Sequence, residues 1–261
     1  MSFLETYNKH VDERKALNVP PLPLNPQQTT ELCELLSQKD VANQEILFSL
    51  LANRVSPGVD DSAYIKAGFL HDIIEGTKTT SAFSKVDAVK MLGKMLGGYN
   101  VKPLIDALKN NDDNVAKSAC EELKNTLLVY DFFNDVVELS KTNKYAKEVL
   151  ISWANAEWFT SKPALSDKMT MTVFKVPGET NTDDLSPAGQ AFTRSDIPLH
   201  AQAMLCNKMP DGIKKIEELL TKGHPLVYVG DVVGTGSSRK SAANSVIWFM
   251  GEEIEGVPNK K

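Results

Sequence analysis

Gly234, Thr235, Gly236, Ser237, Ser238 and Arg239 stand between a run of β-branched residues and a run with helical spacing, a combination suited to gripping an anion. Val227, Val229, Val232 and Val233 predict a strand over Leu226 to Val233. The glycines open backbone conformations closed to other residues. Beyond them, Ala242, Ala243, Val246, Ile247 and Met250 form the apolar face of a helix that Gly251 ends. A helix starting directly after such a turn presents free N–H groups and the positive end of its dipole to whatever lies in front. The ligand class is a carboxylate or a phosphate. A serine-capped helix with no ligand fits the same residues equally well on the turn alone.

The nucleotide motifs do not fit. A P-loop needs G-x-x-x-x-G-K-[ST], yet Thr235 and Arg239 stand where the second glycine would fall, and a dinucleotide fingerprint needs Gly or Ala where Arg239 stands. The G-x-S-x-G elbow of hydrolases would need a glycine two residues beyond Ser237 or Ser238, and neither has one.

A second segment carries further polar chemistry. Lys168 to Val176 alternates like a strand and runs into TNTDDLSPAGQAFTRSD, a loop rich in acids and hydroxyls that ends near Arg194. TNTDDLSPAG, Arg194 downstream and GTGSSRKSA together resemble the swivel domain of the aconitase superfamily, where a T-D-x-[IL]-S loop and a G-S-S-R turn flank the substrate. The bacterial B-type branch is the closer likeness. NRVSPGVDDSAYIKAGFL, GGYNVKPLIDAL and NAEWF extend it over nearly the whole chain, with a helical HEAT-like domain leading directly into the swivel domain.

The resemblance implies reversible dehydration and rehydration of citrate to isocitrate by way of cis-aconitate. It places the catalytic base on Ser237, in ionised form, and a carboxylate-binding role on Ser238. Arg239 steadies charge beside them, and Arg194 clamps a substrate carboxylate through its planar fork. Asp183 enters as a residue that supports these contacts from behind, although Asp183 and Asp184 are equally suited to forming the turn. A [4Fe-4S] cluster is implied for the enzyme, held by one lone cysteine and a C-x-x-C pair. This chain offers Cys33, Cys120 and Cys206, far apart, so the resemblance implies no metal ligand here and a swivel domain that is incomplete at Lys261. The remaining aconitase domains then become partners, with a homodimer through the helical half. RNA is a further partner class in the superfamily.

The elements that must position these residues fall into two halves. Residues 1–160 predict an all-helical, HEAT-like α-solenoid, and residues 161–261 an aconitase swivel-type β/α domain, giving a multidomain α and α/β chain. Asn25, Pro26 and Gln28 form an N-cap, N1 and N3 set ahead of Leu32, Leu35 and Leu36. Ile46, Leu47, Leu50 and Leu51 repeat the helical spacing, as do Tyr64, Ala67, Ile73 and Ile74. Val115, Ala116, Ala119, Cys120, Leu123 and Leu127 make the cleanest stripe.

The chain has 261 residues, 42% hydrophobic and 24% charged, with a net charge of −5. The acidic excess falls in the first 160 residues, which argues against nucleic acid as the ligand of the helical half. No apolar run is long enough to span a bilayer, and the N-terminus is unlike a signal peptide, so a cytoplasmic location is expected. The three cysteines are read as buried free thiols. His10, His71, His200 and His224 match no metal spacing and are read as solvated or packed. Two other functions fit the residues: a stand-alone helical-repeat binding module with a carboxylate- or phosphate-holding nest, and a dehydratase for a related tricarboxylate such as 2-methylisocitrate.

Overall fold

A computed structural model describes residues 2–39 and 42–261. Its chain divides into two compact units.

The helical unit comprises residues from Pro23 to Ala164 together with Gly256–Pro258. Ahead of it in sequence lies α1 (Phe3–Ala16). The unit itself contains α2 (Pro26–Leu36), α3 (Gln44–Asn53), α4 (Asp61–Glu75), α5 (Lys85–Gly93) and α6 (Val101–Ala107). Then come α7 (Asp113–Asn125), α8 (Phe133–Leu139), α9 (Lys144–Ala154) and α10 (Glu157–Thr160). No strand precedes Thr172 among the described residues.

Local chemistry sets the helix starts. The Asn25 side chain accepts from the Gln28 amide at 2.9 Å and Gln28 returns the bond to Asn25, with Pro26 at the first helical position. Asp60, Ser84, Asp112 and Asn143 cap α4, α5, α7 and α9 in related ways. Packing runs as a row, α2 on α4, α4 on α5, α5 on α7 and α7 on α9, with α3, α6 and α8 against members of that row. Val115, Ala116, Ala119, Cys120 and Leu123 are all buried, as the stripe predicts. Leu127, Ile46 and Tyr64 are exposed instead: Leu127 lies past the end of α7, and Tyr64 packs edge-on against Tyr99 at the surface.

The second unit contains α1 and the residues after it to Leu22, then Leu165–Glu255 and Asn259–Lys261. Within this unit α1 is tied down by a buried ion pair. Arg14 on α1 donates from both terminal nitrogens to Asp196 at 2.6 and 2.9 Å, and its Nε donates to the Pro20 carbonyl at 2.9 Å. Such a bidentate fork, shielded from water, fixes both position and direction.

The remaining elements of this unit are β1 (Thr172–Lys175), β2 (Glu179–Asn181), α11 (Thr182–Leu185), α12 (Ile197–Ala201), α13 (Gly212–Leu220), β3 (Leu226–Val229), β4 (Val232–Thr235) and α14 (Arg239–Met250). β1 pairs with β3 and β2 with β4, both parallel. The strand expected over Leu226 to Val233 is therefore broken at Gly230 and Asp231. There the Asp231 carboxylate accepts from the Gly178 amide at 2.7 Å and from Lys175 Nζ at 2.8 Å, which bends both chains at the same point. The core beneath is Phe174, Val176, Leu185, Met204, Leu205, Ile216, Leu226 and Ala242. On α14 the buried positions are Ala242 and Ser245, while Ala243 and Ile247 face solvent, so the helix is rotated from the face that its apolar spacing predicts. Ser245 can be buried because its hydroxyl donates back to the Ser241 carbonyl at 3.1 Å.

Candidate functional site

Both polar motifs leave the same edge of one strand pair. β2 ends at Asn181 and β4 at Thr235, these two residues are register partners, and each strand gives way at its carboxyl end to a helix. That is where parallel α/β sheets bind ligands, because helix N-termini and loops converge there. Thr235 Oγ1 donates to Glu179 Oε1 at 2.5 Å across the pair. Gly236 then crosses directly over Thr182. Its φ is +107°, and a β-carbon there would lie 2.3 Å from Thr182 Oγ1, so both conformation and space require glycine. The G-S-S-R turn and the T-D-D-L-S loop are thus held in contact by backbone geometry.

The turn opens α14 with two hydroxyls followed by two cations. Ser237 is exposed, and Ser238 occupies the N-cap without donating or accepting a side-chain cap bond. The ligand-free alternative, a serine that caps the helix, is not what the hydroxyl does. α14 begins with Arg239 and Lys240 and, like α2, α6, α9, α12 and α13, has no acid in its first turn. Cations at the positive end of a helix cost about 0.3–1 kcal/mol each at exposed positions. A bound anion reverses the sign of that interaction. Arg239 Nε donates to the Gly236 carbonyl at 3.3 Å, which keeps its base close to the turn.

The facing loop is tightly self-bonded. Asn181 Oδ1 accepts from the amides of Asp183 and Asp184 at 2.9 and 2.8 Å, and Asp184 Oδ2 accepts from the Asn181 amide at 2.9 Å. Asp183 Oδ1 accepts from the Ala188 amide at 2.6 Å. Both acids therefore shape the turn, and Asp183, exposed, has its carboxylate engaged with the loop. Ser186 is buried, and Arg194 grips it twice, Nε to the hydroxyl oxygen at 3.2 Å and Nη2 to the carbonyl at 3.3 Å. Those bonds use one edge of the guanidinium and leave the terminal pair of nitrogens as a fork. The Ser186 amide donates to the Thr182 carbonyl at 2.9 Å, so Arg194, Ser186, Thr182 and Gly236 form an unbroken chain of contacts between the two motifs.

His200, expected as one of four unremarkable histidines, lies behind this chain at 2% exposure. Its Nε2 is 2.8 Å from Ser186 Oγ, and its Nδ1 is 2.8 Å from Thr193 Oγ1 and 3.1 Å from the Gln190 carbonyl. Burial, and secondarily the Arg194 charge, hold its pKa below the ordinary imidazole value. Ser186, Thr182 and His200 were not among the expected site residues. The sequence signal for two of them is that Thr182 and Ser186 are the first and last residues of the T-D-x-[IL]-S motif; His200 has none.

The cysteines do not converge. Cys33 on α2 and Cys120 on α7 are buried, and burial pushes both thiols up to about 12. Cys206 is exposed, contrary to the expectation of three buried thiols. It falls in the turns after α12, where no helix face covers it. Cys120 approaches Glu121 and Glu148, but Lys124 already bridges those two carboxylates at 2.9 and 2.5 Å. These residues do not fit the three-cysteine set of an iron-sulfur cluster. A cleft of about 720 Å³ in the helical unit is lined by His71, Lys85, Asp106 and Lys109 among others. Of its carboxylates, Asp106 is paired with Lys102 and Lys109, and the cleft lies in the helical unit, apart from both polar motifs.

Two families match the chain in comparison with known proteins. The family described as aconitate B N-terminal domain matches residues 6–159, and that described as aconitate hydratase 2 N-terminus matches residues 171–261. The chain is 59% identical over 259 residues to aconitate hydratase B of Synechocystis sp., 56% over 270 residues to that of Salmonella typhimurium and 55% over 270 residues to that of Escherichia coli. Each match covers 99% of this chain but only 30–31% of the relative, so the chain spans about a third of the length of these relatives.

Proposed function

The chain belongs to the family of aconitate B N-terminal domains, and on that premise we propose that it is the N-terminal part of a cytoplasmic aconitate hydratase, a hydro-lyase interconverting citrate and isocitrate through cis-aconitate. The observation that carries the reading is the contact of Gly236 with Thr182, which brings the serine-arginine turn and the Arg194 loop to one strand edge.

The reaction removes a proton from carbon beside a carboxylate, so it needs a positioned base and cations that hold several carboxylates. Ser237 takes the role of base as an alkoxide. A serine hydroxyl is far too weak an acid to ionise unaided near neutral pH. The positive end of α14, the cationic Arg239 and the absence of any first-turn acid all lower the cost of negative charge there. Ser238 offers its free hydroxyl to a substrate carboxylate, and the terminal nitrogens of Arg194 take another in a bidentate grip. Departure of the hydroxyl requires an acid that these residues do not supply. We assign the [4Fe-4S] cluster of the enzyme to its remaining aconitase domains.

Residues 161–261 then make up the swivel portion, and the row α2, α4, α5, α7 and α9 supports reading the helical unit as HEAT-like. The test is turnover by the full-length protein carrying these residues. Isocitrate and citrate should both yield cis-aconitate, with 2-methylisocitrate a much poorer substrate. Preference for 2-methylisocitrate would assign the related dehydratase activity. Tricarboxylate binding with no turnover at all would leave a binding module.

A further inference from the structure

The hydrogens around His200 can be placed from the acceptors alone. The Gln190 carbonyl can only accept, and the Thr193 hydroxyl spends its single hydrogen on that same carbonyl at 2.8 Å. Both therefore need a donor at His200 Nδ1, which lies 3.1 and 2.8 Å from them. The imidazole, buried and beside the guanidinium of Arg194, is neutral, so the proton on Nδ1 leaves a lone pair on Nε2. That lone pair faces Ser186 Oγ at 2.8 Å, and the Ser186 hydroxyl must donate to it. The Ser186 oxygen is then free to accept, and Arg194 Nε donates to it at 3.2 Å.

We propose that His200 is a positioning residue for Arg194: by taking the Ser186 hydroxyl hydrogen, it fixes that oxygen as an acceptor for Arg194 Nε and so aims the terminal nitrogens of the guanidinium at a substrate carboxylate. The inference rests on the proposed role of Arg194 as a carboxylate clamp. Without the imidazole, the Ser186 hydroxyl is free to turn its hydrogen toward Arg194, and the guanidinium loses the contact that sets its angle. Arg14 and Asp196 hold the backbone two residues further on, so the loop itself stays anchored when the side-chain relay is cut. The relay thus acts on the direction of the fork.

The experiment is a mutant cycle in the full-length enzyme, with KM and kcat measured for isocitrate. Ser186→Ala and His200→Leu should each raise KM about tenfold, equivalent to about 1.4 kcal/mol, with kcat changed less than about threefold. Their double variant should be no worse than either alone, and neither should add to Arg194→Lys, because all three act through one grip. His200→Gln, whose carbonyl oxygen can replace Nε2 as acceptor, should keep KM within about threefold. Ser186→Ala removes one atom and decides the matter if His200→Leu does not fold. An unchanged KM in Ser186→Ala overturns the inference, as does an equal factor from His200→Leu in the wild-type and Arg194→Lys backgrounds, which is what a purely packed histidine gives. If Arg194→Lys alone leaves KM unchanged, the clamp fails and the inference with it; additive effects with the clamp intact would sink only the relay.

Discussion

Replacing Gly236 with alanine tests whether the two motifs are in contact as described. Two costs add at this position. A non-glycine residue at φ +107° carries roughly 1–3 kcal/mol of backbone strain. The new methyl would start 2.3 Å from Thr182 Oγ1, with the rest of Thr182 buried and unable to retreat, which adds roughly 1–3 kcal/mol of overpacking. The sum is about 2–6 kcal/mol. The second part should vanish with Thr182→Ala, since the next nearest contact, Thr182 Cβ at 3.5 Å, is ordinary packing. A double-mutant cycle should therefore give a favourable coupling of about 1–3 kcal/mol between Gly236→Ala and Thr182→Ala. Urea denaturation reads this directly, with Trp153 and Trp158 changed to Phe so that Trp248 on α14 reports on the second unit. A Gly236→Ala cost below about 0.5 kcal/mol, or zero coupling to Thr182, would show that the loops do not meet there.

Two further outcomes follow from buried groups in the helical unit and from the exposed thiol. A disulfide-exchange reagent at pH 8 should label one thiol quickly, Cys206, while Cys33 and Cys120, held to about 12 by burial, react only on unfolding; three fast thiols would contradict the packing of α2 and α7. Lys66 is buried and burial lowers its pKa to about 8, against 10.5 for the free side chain. Between those values the unfolded chain binds more protons than the folded one, so stability should rise with pH from about 8 to 10.5 by at most about 3 kcal/mol. Lys66→Met should abolish the rise and stabilise the protein at pH 7. A rise that survives the substitution would place its origin elsewhere.

Much of this architecture was legible in local chemistry. The Asn25, Pro26 and Gln28 start, the α7 stripe and the helix after Arg239 all depend on residues within a turn or two of one another. What escaped depends on distance. The α1 helix joins the second unit through Arg14 and Asp196, 182 residues apart, and no periodicity announces such a pair. The break at Gly230 and Asp231 is set by bonds to Lys175 and Gly178 on the partner chain segment, so a continuous run of valines concealed it. On α14, Ser245 satisfies its own hydroxyl and takes an interior place that apolar spacing gave to Ile247. His200 is the costliest omission, because an isolated histidine in a helix gives no hint that a serine 14 residues earlier will share its proton.

The central claim is that the turn at the head of α14 carries the base, with carboxylate grips around it. Steady-state kinetics of Ser237→Ala in the full-length enzyme, with Arg194→Lys and Arg239→Lys beside it, tests that claim most directly. If Ser237 is the base, kcat should fall by about three or more orders of magnitude while KM stays within a modest factor, because the alkoxide matters mainly in the transition state. Arg194→Lys keeps the charge and loses the fork, so its KM should rise, and Arg239→Lys should harm both terms. Near-normal kcat in Ser237→Ala with only weaker binding would contradict the account, leaving the turn a carboxylate holder and the base elsewhere.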